Sequence, residues 1–561
     1  TNNVDHCARL CHAPSVSALT AAFGSGAATN SIDDLADAKC ILAIGTDTTA
    51  NHPIIGLEVK KAVRQGARLI VINPKEVDLC RFAEMWLAEK PGSDVALLLG
   101  MMRVILDEGL ADESFIQERC ENFEDFEKSV REFPLERAAS VSGVPKEKIA
   151  EAARLYASGK PAAIIFGLGM TQHTHGTDNI LALADLAMLT GNIGVAGAGV
   201  NPLRGHNNVQ GACDVGCTPT TYPGYAQVAD DSSRKSMEEA WGCALPDRPG
   251  VTLTEMFAAA AGGRVKAMYI TGENPLLSEP DIAHVQEALE KLEFLVVQDI
   301  FLTETAALAD VVLPAVTFAE RDGTVTNAER RIQRIRQAIP FQGEARPDWW
   351  ITCQIAKRLG ASGFDYEDPS QIMAEIAGVA PIYGGVSYAR LENGGLQWPC
   401  PTSDHSGTAI MHVDEFTRGK GRFAALQYRP SAEVADTDYP FTLTTTRSLF
   451  QFHTGTLTRK VRGLNFLKPG EALEINVKDA ERLGIADGDL IRVSSRRGRV
   501  EARAKLTEGV APGVVSMTFH FAEAPTNMVT NPALDPNSKI AELKVCAVRL
   551  EKVREGAGVR R

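Results

Sequence analysis

The first 200 residues alternate between strand and helix patterns, and this alternation limits the possible folds more than any other feature. The run CILAIG (40–45) is short and apolar throughout, as expected of a buried strand, and IIGLEVKKAVRQ (54–65) has apolar residues at helical spacing. A second buried strand is predicted for ARLIVINP (67–74). Repeated strand–helix units predict a parallel, doubly wound sheet whose ligands bind at the carboxyl ends of the strands.

Two further helices and one strand are predicted before residue 200. The segment SDVALLLGMMRVILDEG (93–109) has a helical pattern with Ser93 as its candidate N-cap. A second helix is predicted for VPKEKIAEAARLYASG, because Pro145 stands near its start and Gly159 just after its end. The apolar run AAIIFGLGM (162–170) predicts a third buried strand.

A second α/β segment follows, and a long irregular stretch separates it from the first. Strands are predicted for VKAMYITG (265–272), EFLVVQD (293–299) and ADVVLPA (309–315), with DIAHVQEALEKL as a helix after the first of them. The stretch 191–225 is rich in glycine and asparagine and shows neither strand nor helix periodicity. Long loops inside compact chains tend to be functional, so we expect this stretch to carry site residues.

The pattern changes after about residue 430. The segments FTLTTTR, DLIRVSSRRGRVEARAKL and GVVSMTF are rich in β-branched residues with turns close together, and one short helix, NVKDAERLG, interrupts them. This pattern predicts a C-terminal β-barrel domain. The basic tail VREGAGVRR is expected to be a frayed end.

Length and charge narrow the class of protein. A chain of 561 residues exceeds what one core usually supports, so three or four domains are expected. The net charge of −13 disfavours nucleic acid as a partner, because an acidic surface repels phosphates. No uninterrupted apolar stretch reaches the length of a membrane span, so we expect no transmembrane segment.

The cysteines and the first residue bear on the cellular compartment. Eleven cysteines are scattered without the framework of a disulfide-stapled domain, which favours a reducing, cytoplasmic location. The chain begins with Thr1 rather than methionine, and we therefore expect a fragment or a processed product. An upstream export signal or cofactor segment is left open.

The opening stretch TNNVDHCARLCHAPS contains Cys7, Cys11 and His12, and three functional interpretations compete for it. Structural zinc and iron–sulfur sites need more closely spaced cysteines, and the other close pair, Cys213 and Cys217, lacks that spacing. A nucleophilic Cys–His pair needs the imidazole placed on the thiol, which sequence adjacency does not ensure. The third interpretation is a single thiolate metal ligand with an acid–base neighbour. The competing structural interpretation is a buried cysteine with an incidental histidine.

Two other loops bear on ligand binding. Arg204 stands among glycines in PLRGHNNVQGACDVG, where its planar guanidinium could pair with a carboxylate ligand or with a surface acid. The first strand–helix loop, IGTDTTANHP, lacks the GxGxxG pattern of dinucleotide-binding dehydrogenases. Any nicotinamide chemistry is therefore expected to belong to a partner subunit.

Long motifs in order along the chain give it a clear resemblance. NNVDHCARLCHAPSV, AMLTGNIGVAGAGVNPLRGHNNVQGACDVG, TGENPLL, LVVQDIFLTETAALADVVLPA, GTVTNAERRIQ and INVKDAERLGIADGDLIRVSSRRG are similar to the catalytic subunit of molybdenum- or tungsten-dependent formate dehydrogenases. These enzymes belong to the dimethyl sulfoxide reductase family of bis-molybdopterin guanine dinucleotide oxidoreductases. The similarity runs from Thr1 to about Leu550.

The resemblance implies a fold and a domain division. The fold class is α/β, with two doubly wound Rossmann-like α/β domains and a C-terminal six-stranded double-psi β-barrel. The implied domains are 1–206, which carries the cysteine ligand, 207–400, which is a second pterin-dinucleotide domain with inserted segments, and 430–556, which is the barrel.

The resemblance also implies site residues, position by position. Cys11 matches the metal-ligating cysteine, His12 the catalytic histidine and Arg204 the substrate-orienting arginine, whereas Cys7 matches a position that is not a ligand. The implied cofactor-binding residues are Gly45, Asp47, Asn51, His52, Asn73, Pro74, Lys75, Met170, Gln172, Gly205, His206, Asn207, Gly272, Asn274, Ser278, Gln298, Asp299, Asp348, Arg447, Gln451, His453, Thr454, Gly455, Thr456, Asn527 and Lys544. Strand-end amides and small polar groups suit phosphates and guanines.

The implied cofactors are two molybdopterin guanine dinucleotides and molybdenum or tungsten with a terminal sulfido ligand. The family's N-terminal [4Fe–4S] module, with its four cysteines, has no counterpart in this chain, so the cluster is expected on a missing part or on another chain. Relatives commonly have glutamine at the position of His206. In this chain, a titratable imidazole therefore replaces an amide.

The implied activity is the reversible two-electron oxidation of formate to carbon dioxide. The implied partners are formate and carbon dioxide, together with an electron-transfer module or subunit that is iron–sulfur, NAD(P)- or ferredoxin-linked. Two alternatives remain at this stage: a nitrate reductase-like molybdoenzyme, which also has a cysteine ligand, and a truncated non-catalytic family member.

Overall fold

A computed structural model of the chain describes residues 1–553, which divide into two compact units. The first unit consists of Thr1–Arg9, Arg204–Leu276 and His284–Ala409. The second consists of Leu10–Leu203, Leu277–Ala283 and the described residues from Ile410 onward. The division into 1–206, 207–400 and 430–556 stays a proposal. Its residues 554–556 lie outside the described residues, as does all of the basic tail after Val553.

A five-stranded parallel sheet forms the first layer of the second unit. Its strands lie in the spatial order Met85–Leu87, Arg68–Ile72, Cys40–Ile44, Ala162–Phe166 and Gly199–Pro202. In the central strand, Cys40 is in register with Arg68 on one side and with Ala162 on the other. The central strand is buried along its whole length, because helices cover both faces of the sheet. The predicted parallel, doubly wound sheet is confirmed.

Two sequence predictions at this sheet were wrong in detail. The strand predicted over 162–170 ends at Phe166, and a short helix, Leu168–Thr171, follows it. The chain turns there because Gly169 packs directly against Gly45. The stretch 191–225 is not irregular throughout, since it contains the edge strand Gly199–Pro202 and the helix Val209–Asp214.

The helix Asp94–Asp107 lies at the centre of the largest apolar core. Leu97, Leu98, Met101 and Met102 on this helix are fully buried. Ser93 occupies the predicted N-cap position, but its hydroxyl donates to the Lys90 carbonyl oxygen at 2.6 Å rather than capping the helix. The predicted helix and Ser93 as its N-cap residue are confirmed, without a capping hydrogen bond from the Ser93 side chain.

The C-terminal part of the second unit is a closed six-stranded barrel. Its strands follow the order Phe441–Thr445, Val514–Met517, Ala472–Asn476, Arg499–Thr507, Leu490–Ser494 and Cys546–Lys552. Alternate side chains such as Leu443, Ile475 and Val515 fill its interior and are fully buried. The short pair Cys120–Glu121 and Gly421–Arg422 lies elsewhere in this unit. The predicted C-terminal β-barrel is confirmed.

The first unit contains two three-stranded sheets. The parallel sheet has the order Ala267–Thr271, Phe294–Asp299 and Val311–Pro314, as the second α/β segment predicted. The antiparallel sheet has the order Gly323–Thr326, Arg331–Ile335 and Leu396–Gln397.

The remaining elements are α-helices and 3₁₀ helices. The α-helices are Ala13–Phe23, Thr48–Asn51, Pro53–Arg64, Glu113–Arg119, Phe123–Arg131, Leu135–Ser142, Lys146–Ser158, Gly176–Leu189, Asp231–Trp241, Leu253–Ala261, Pro275–Ser278, Ile282–Glu290, Asp348–Arg358, Pro369–Val379, Arg462–Leu467 and Val477–Leu483. The 3₁₀ helices are Cys7–Leu10, Asp33–Asp37, Asp78–Arg81, Pro223–Tyr225, Ala306–Leu308, Phe318–Glu320, Pro381–Tyr383, Thr458–Lys460 and Thr526–Met528. Within residues 1–553, every helix is too short or too polar to span a lipid bilayer.

Candidate active site

Cys11 and His12 lie between two helices of the chain, the 3₁₀ helix Cys7–Leu10 and the helix Ala13–Phe23. The Cys11 side chain is 4% exposed and that of His12 is fully buried. The polypeptide therefore places a thiol and an imidazole next to each other inside the second unit, away from bulk water.

The His12 ring is held by both of its nitrogens. Nδ1 lies 2.9 Å from the Ser15 hydroxyl, and Nε2 lies 3.1 Å from the Leu203 carbonyl oxygen. A carbonyl oxygen only accepts hydrogen bonds, so Nε2 carries the proton and Nδ1 accepts from Ser15 in the neutral ring. This arrangement leaves Nδ1 as the position that would receive an additional proton.

The loop after strand Ala162–Phe166 holds the backbone of the cysteine segment. The Thr171 hydroxyl donates to the Cys11 carbonyl oxygen at 2.6 Å, and Gln172 Nε2 donates to the Leu10 carbonyl oxygen at 2.7 Å. Gln172 Oε1 is buried without a hydrogen-bond donor in the described chain. A buried acceptor of this kind is costly unless a ligand or water satisfies it.

The strand-end loops that the sequence predicts as cofactor-binding lie against one another. Gly45 approaches Gly169 so closely that a side chain at either position would collide with the other loop. Asn73 Nδ2 donates to the Thr46 carbonyl oxygen at 3.3 Å. Asp47 caps the helix Thr48–Asn51, and burial raises the pKa of its carboxyl. The three loops therefore form one surface at the carboxyl ends of neighbouring parallel strands.

Other predicted residues of these loops have partners in the protein. Asn51 Nδ2 donates to the Asp47 carbonyl oxygen at 2.9 Å. Lys75 forms an ion pair with Glu474 at 2.5 Å. The Met170 side chain is fully buried in the apolar core, which leaves its backbone for any ligand contact. His52 and Pro74 are half-buried beside them.

Two basic side chains, Lys544 and Arg447, lie at the end of the barrel strand Phe441–Thr445. Lys544 Nζ donates to the carbonyl and hydroxyl oxygens of Thr445, and the Arg447 guanidinium lies 4.1 Å from the centre of the Phe519 ring. Burial lowers the pKa of Arg447 to about 10, and the thiolate form of Cys11 acts in the opposite direction. Burial and Arg447 lower the pKa of Lys544 well below its ordinary value.

The other predicted barrel residues surround this end of the strand or lie beyond it. Gly455 adopts a left-handed backbone with its Cα facing the His520 carbonyl oxygen, so a side chain would not fit there. The His520 ring, which sequence reasoning missed, donates to the His453 carbonyl oxygen, and burial lowers its pKa to about 3. Gln451 pairs with Thr458, Thr454 with Thr456, and Asn527 with the carbonyl oxygens of Leu277 and Ser278.

These features fit an anionic dinucleotide. Burial lowers the pKa of Arg447 and of Lys544, and the Arg447 charge lowers that of Lys544 further, which disfavours the charged forms unless an anion compensates them. The unsatisfied Gln172 Oε1 can accept from an amine or amide group of a ligand. The described residues contain no group of three or more His, Cys, Asp or Glu arranged to hold a metal ion by themselves.

In the first unit, Arg204 is buried, with an exposed fraction of 5%. Its Nη1 donates to the Cys213 sulfur at 3.7 Å, and the same sulfur lies 3.4 Å from His6 Nε2. Burial raises the pKa of the Cys213 thiol to about 11, so the thiol is protonated at neutral pH. Burial lowers the pKa of His6 to about 4, and the charge of Arg204 contributes to this shift.

The residues predicted around Arg204 and in TGENPLLS have different degrees of burial. Gly205 and Asn207 are exposed, and His206 is half-buried. Gly272 adopts a left-handed backbone at the end of strand Ala267–Thr271. Asn274 is buried and bonds to Glu304 and Thr305, so its side chain already stabilises the loop.

The structure brings Asp348 next to two predicted residues at the end of strand Phe294–Asp299. Gln298 is fully buried, and its Nε2 donates to Asp348 Oδ1 at 2.6 Å. Asp299 accepts from the Phe301 amide at 3.0 Å, and burial raises its pKa. These carboxylates at a strand end could accept hydrogen bonds from the amine groups of a guanine.

Sequence reasoning missed two buried networks. Asp214 is fully buried and accepts hydrogen bonds from four side chains of the first unit. In the second unit, His173 forms a buried ion pair with Glu542 at 3.0 Å. Asp214 stands in the quoted motif around Arg204, but nothing in the sequence pairs it with its partners.

Comparison with known proteins identifies the family of the chain. A family model described as molybdopterin oxidoreductase matches residues 1–358, and one described as molydopterin dinucleotide binding domain matches residues 441–547. In structure, the chain is similar to acetylene hydratase from Pelobacter acetylenicus, with a TM-score of 0.78 and 21% identity over 97% of this chain and 82% of that one. This likeness supports the α/β fold with its barrel.

Two relatives are similar in sequence over nearly the whole chain. The F420-dependent formate dehydrogenase subunit alpha of Methanocaldococcus jannaschii is 49% identical over 99% of this chain and 82% of its own. Formate dehydrogenase H of Escherichia coli strain K12 is 39% identical over 99% of this chain and 78% of its own. The chain thus belongs to the molybdopterin oxidoreductase family and carries a molybdopterin dinucleotide-binding domain.

Proposed function

We propose that the chain is the catalytic subunit of a formate dehydrogenase and that it oxidises formate reversibly to carbon dioxide. The observation that carries the proposal is the similarity over 99% of the chain to two proteins named formate dehydrogenase, from an archaeon and a bacterium. The buried pair Cys11–His12 and the buried Arg204 supply the acid–base and anion-binding groups that this reaction needs.

The reaction converts formate into carbon dioxide, one proton and two electrons. When bound, molybdenum or tungsten between two pterin dithiolenes supplies a centre that accepts the electron pair. The protein supplies orientation, charge and proton handling. We propose that this cofactor is the bis-molybdopterin guanine dinucleotide form with a terminal sulfido ligand.

In this proposal, the Cys11 sulfur is the single protein ligand of the metal. Its burial and the bond from Thr171 to its carbonyl oxygen support a fixed position for the thiolate. His12 handles a proton beside it, because Nε2 is anchored on the Leu203 carbonyl oxygen and Nδ1 faces the rotatable Ser15 hydroxyl. Ser15 can turn its hydrogen away and accept from Nδ1 when the ring becomes protonated.

Arg204 is proposed to bind the formate carboxylate. Its guanidinium is always charged and matches two carboxylate oxygens, and burial strengthens that attraction by excluding water. Arg447 and Lys544 are proposed to bind an anionic part of the cofactor, and the support is that two buried basic side chains lie at one end of the barrel. The remaining predicted cofactor contacts are part of the same proposal.

The electrons must leave through another group. We propose an iron–sulfur, NAD(P)- or ferredoxin-linked module or subunit as the partner, and the name of the archaeal relative adds F420-linked acceptors to this class. We expect the cysteines that bind the [4Fe–4S] cluster of the proposed enzyme to lie on a missing part or on another chain. A cytoplasmic location also remains a proposal.

Elemental analysis of the purified protein together with a formate:viologen assay tests the proposal. We expect about one molybdenum or tungsten per chain and viologen reduction that depends on formate. A metal-loaded protein that reduces nitrate but does not oxidise formate would establish the nitrate reductase alternative. A properly folded protein that takes up neither metal nor pterin under conditions that load its relatives would establish the non-catalytic alternative.

A further inference from the structure

The side chains of two neighbouring residues, Thr171 and Gln172, bind two successive carbonyl groups of the cysteine segment. The Thr171 hydroxyl donates to the Cys11 carbonyl oxygen at 2.6 Å, and Gln172 Nε2 donates to the Leu10 carbonyl oxygen at 2.7 Å. Thr171 is fully buried and Gln172 is 3% exposed. Within the second unit, the two bonds therefore hold the peptide groups on both sides of the Cys11 Cα atom.

This pair of bonds constrains the direction of the Cys11 side chain. A peptide group is planar, so the backbone at Cys11 can change only by rotation about its φ and ψ bonds, each of which turns one of the two flanking groups. A hydrogen bond to each flanking carbonyl oxygen limits both rotations. The direction of the Cα–Cβ bond is then fixed as well, and the thiol leaves the chain from one position.

The backbone that carries Thr171 is itself tightly packed. A Cβ atom on Gly169 would lie 2.6 Å from the Cα atom of Gly45, so these two loops meet without room for a side chain. A Cβ atom on Gly176 would lie 2.2 Å from the Thr171 carbonyl oxygen. Such close backbone contacts resist displacement. The Thr171 hydroxyl is therefore held by a rigid support and does not follow a shift of Cys11.

We propose that Thr171 is a positioning residue for Cys11, and the inference rests on the proposed function, in which the Cys11 sulfur binds the metal. A thiolate that already has the direction required for binding loses less conformational freedom when the metal arrives. The bond from Thr171 thus sets the geometry of the metal–sulfur bond, although Thr171 itself touches only the backbone.

Substitutions at Thr171 test the proposal in the complete, metal-loaded enzyme. Thr171→Val removes the hydroxyl donor and keeps the branched shape, whereas Thr171→Ser keeps the donor. We expect turnover with formate and viologen to fall about tenfold in Thr171→Val, the change in an equilibrium that loss of one buried hydrogen bond produces. The formate KM should stay within about twofold, because Arg204 is unchanged. Thr171→Ser should recover most of the wild-type turnover.

A spectroscopic measurement examines the metal–sulfur bond without reference to turnover. X-ray absorption at the edge of the bound metal gives the distances from the metal to its sulfur neighbours. In Thr171→Val, we expect one of these distances to lengthen or to spread over a wider range, and in Thr171→Ser we expect the wild-type distances. Cys11→Ala provides the reference spectrum for complete loss of the protein ligand.

Thr190→Val is the matched control. Thr190 is also fully buried in the second unit, and its hydroxyl donates to the Leu186 carbonyl oxygen at 2.9 Å. This variant loses the same kind of bond at a place that does not contact the cysteine segment, so we expect wild-type sulfur distances and turnover within about twofold. Metal content and melting temperature are measured for every variant. If Thr171→Val does not fold, Thr171→Ala, which removes the same hydroxyl, provides the decision.

The outcomes separate this inference from the proposed function. Folded, metal-loaded Thr171→Val enzyme with wild-type sulfur distances would overturn the positioning role, as would equal changes in Thr190→Val. A folded Thr171→Val protein that takes up no metal, when Thr190→Val loads fully, supports the role. If Cys11→Ala leaves the sulfur distances unchanged, Cys11 is not the ligand and this inference fails with that assignment. If the wild-type enzyme has the Cys11 bond but does not oxidise formate, only the proposed reaction fails, and the spectra still decide the role of Thr171.

Discussion

Replacement of Glu542 by glutamine removes one charge from a buried ion pair beside the cysteine segment. Glu542 is fully buried, its Oε1 lies 3.0 Å from His173 Nδ1, and its Oε2 accepts from the Thr174 amide at 3.0 Å. His173 follows Gln172, which holds the Leu10 carbonyl oxygen. The pair therefore fixes the loop that supports Cys11.

The structure sets the expected size of the effect. Breaking a buried ion pair by removing one partner costs about 3–5 kcal/mol. The lower end applies here, because glutamine still accepts from the Thr174 amide and because Asp94 Oδ2, 3.9 Å from His173, offers a second negative charge. We expect a loss of about 3 kcal/mol, which lowers the melting temperature of a domain of this size by about 5 °C.

The effect should depend on pH. Burial alone would lower the pKa of His173, but Glu542 outweighs it and raises this pKa above 6.5. The stabilisation by charged His173 is thus full below pH 6.5 and is lost as the pH rises through the folded-state pKa. His173 likewise lowers the pKa of Glu542 below 4.5 against the effect of burial, so that stabilisation is lost as the pH falls through the folded-state value.

The assay is thermal unfolding of wild-type and Glu542→Gln protein between pH 4.5 and 9. The difference in melting temperature should be largest between about pH 4.5 and 6.5 and should shrink toward pH 9. Glu501→Gln breaks the exposed pair with Arg492 on the barrel and should cost less than about 1 kcal/mol. Equal losses in Glu542→Gln and Glu501→Gln, or a difference that grows toward pH 9, would refute the reasoning.

Three further predictions concern the proposed chemistry and the core. Arg204→Ala should raise the formate KM about a hundredfold, since a hydrogen-bonded charge worth ~3 kcal/mol is lost, while metal content stays normal; an unchanged KM removes Arg204 from substrate binding. His12→Ala should lower turnover by about 10²-fold or more and change the pH profile with little effect on formate binding, and a wild-type profile would leave His12 structural. Burial raises the pKa of Asp185 well above 3.8. Protonated Asp185 therefore stabilises the folded protein at low pH, and this contribution is lost as the pH rises above about 4. The melting temperature of Asp185→Asn relative to wild type should therefore increase between pH 5 and pH 8, and a parallel pair of curves would contradict this assignment.

The strands of the large sheet could be predicted from sequence because helices bury both of its faces. Cys40–Ile44 and Arg68–Ile72 consequently appear as unbroken apolar runs with polar ends. The same reasoning failed at AAIIFGLGM, where the apolar run continues past the strand into the helix Leu168–Thr171. Apolarity reports burial rather than the end of a strand, and Gly167 and Gly169 are the local marks of this turn that the apolar pattern alone overlooks.

The roles of the site residues stay predictions, and the sequence supports them where long motifs carry the residues. Cys11, His12 and Arg204 stand in long segments that resemble a family. The donors to Asp214 could not be predicted in this way. Tyr383 and Trp398 are distant in sequence, and a buried tyrosine is more often an ordinary core residue than a hydrogen-bond donor to a charge.

We propose that the bound cofactor and the fold stabilise each other at the end of the barrel. Burial lowers the pKa of Arg447 and of Lys544, Arg447 lowers that of Lys544 further, and the nearby carboxylate of Glu542 is already engaged by His173. An anion bound there would raise both pKa values, so binding takes up a proton wherever Lys544 was neutral before. Because the bound state then holds more protons than the unbound state, affinity should increase as the pH falls. The buried basic groups of Arg447 and Lys544 destabilise the protein without its cofactor, and a bound anion would remove this effect. The cofactor-loaded protein should therefore melt at a higher temperature than the cofactor-free protein.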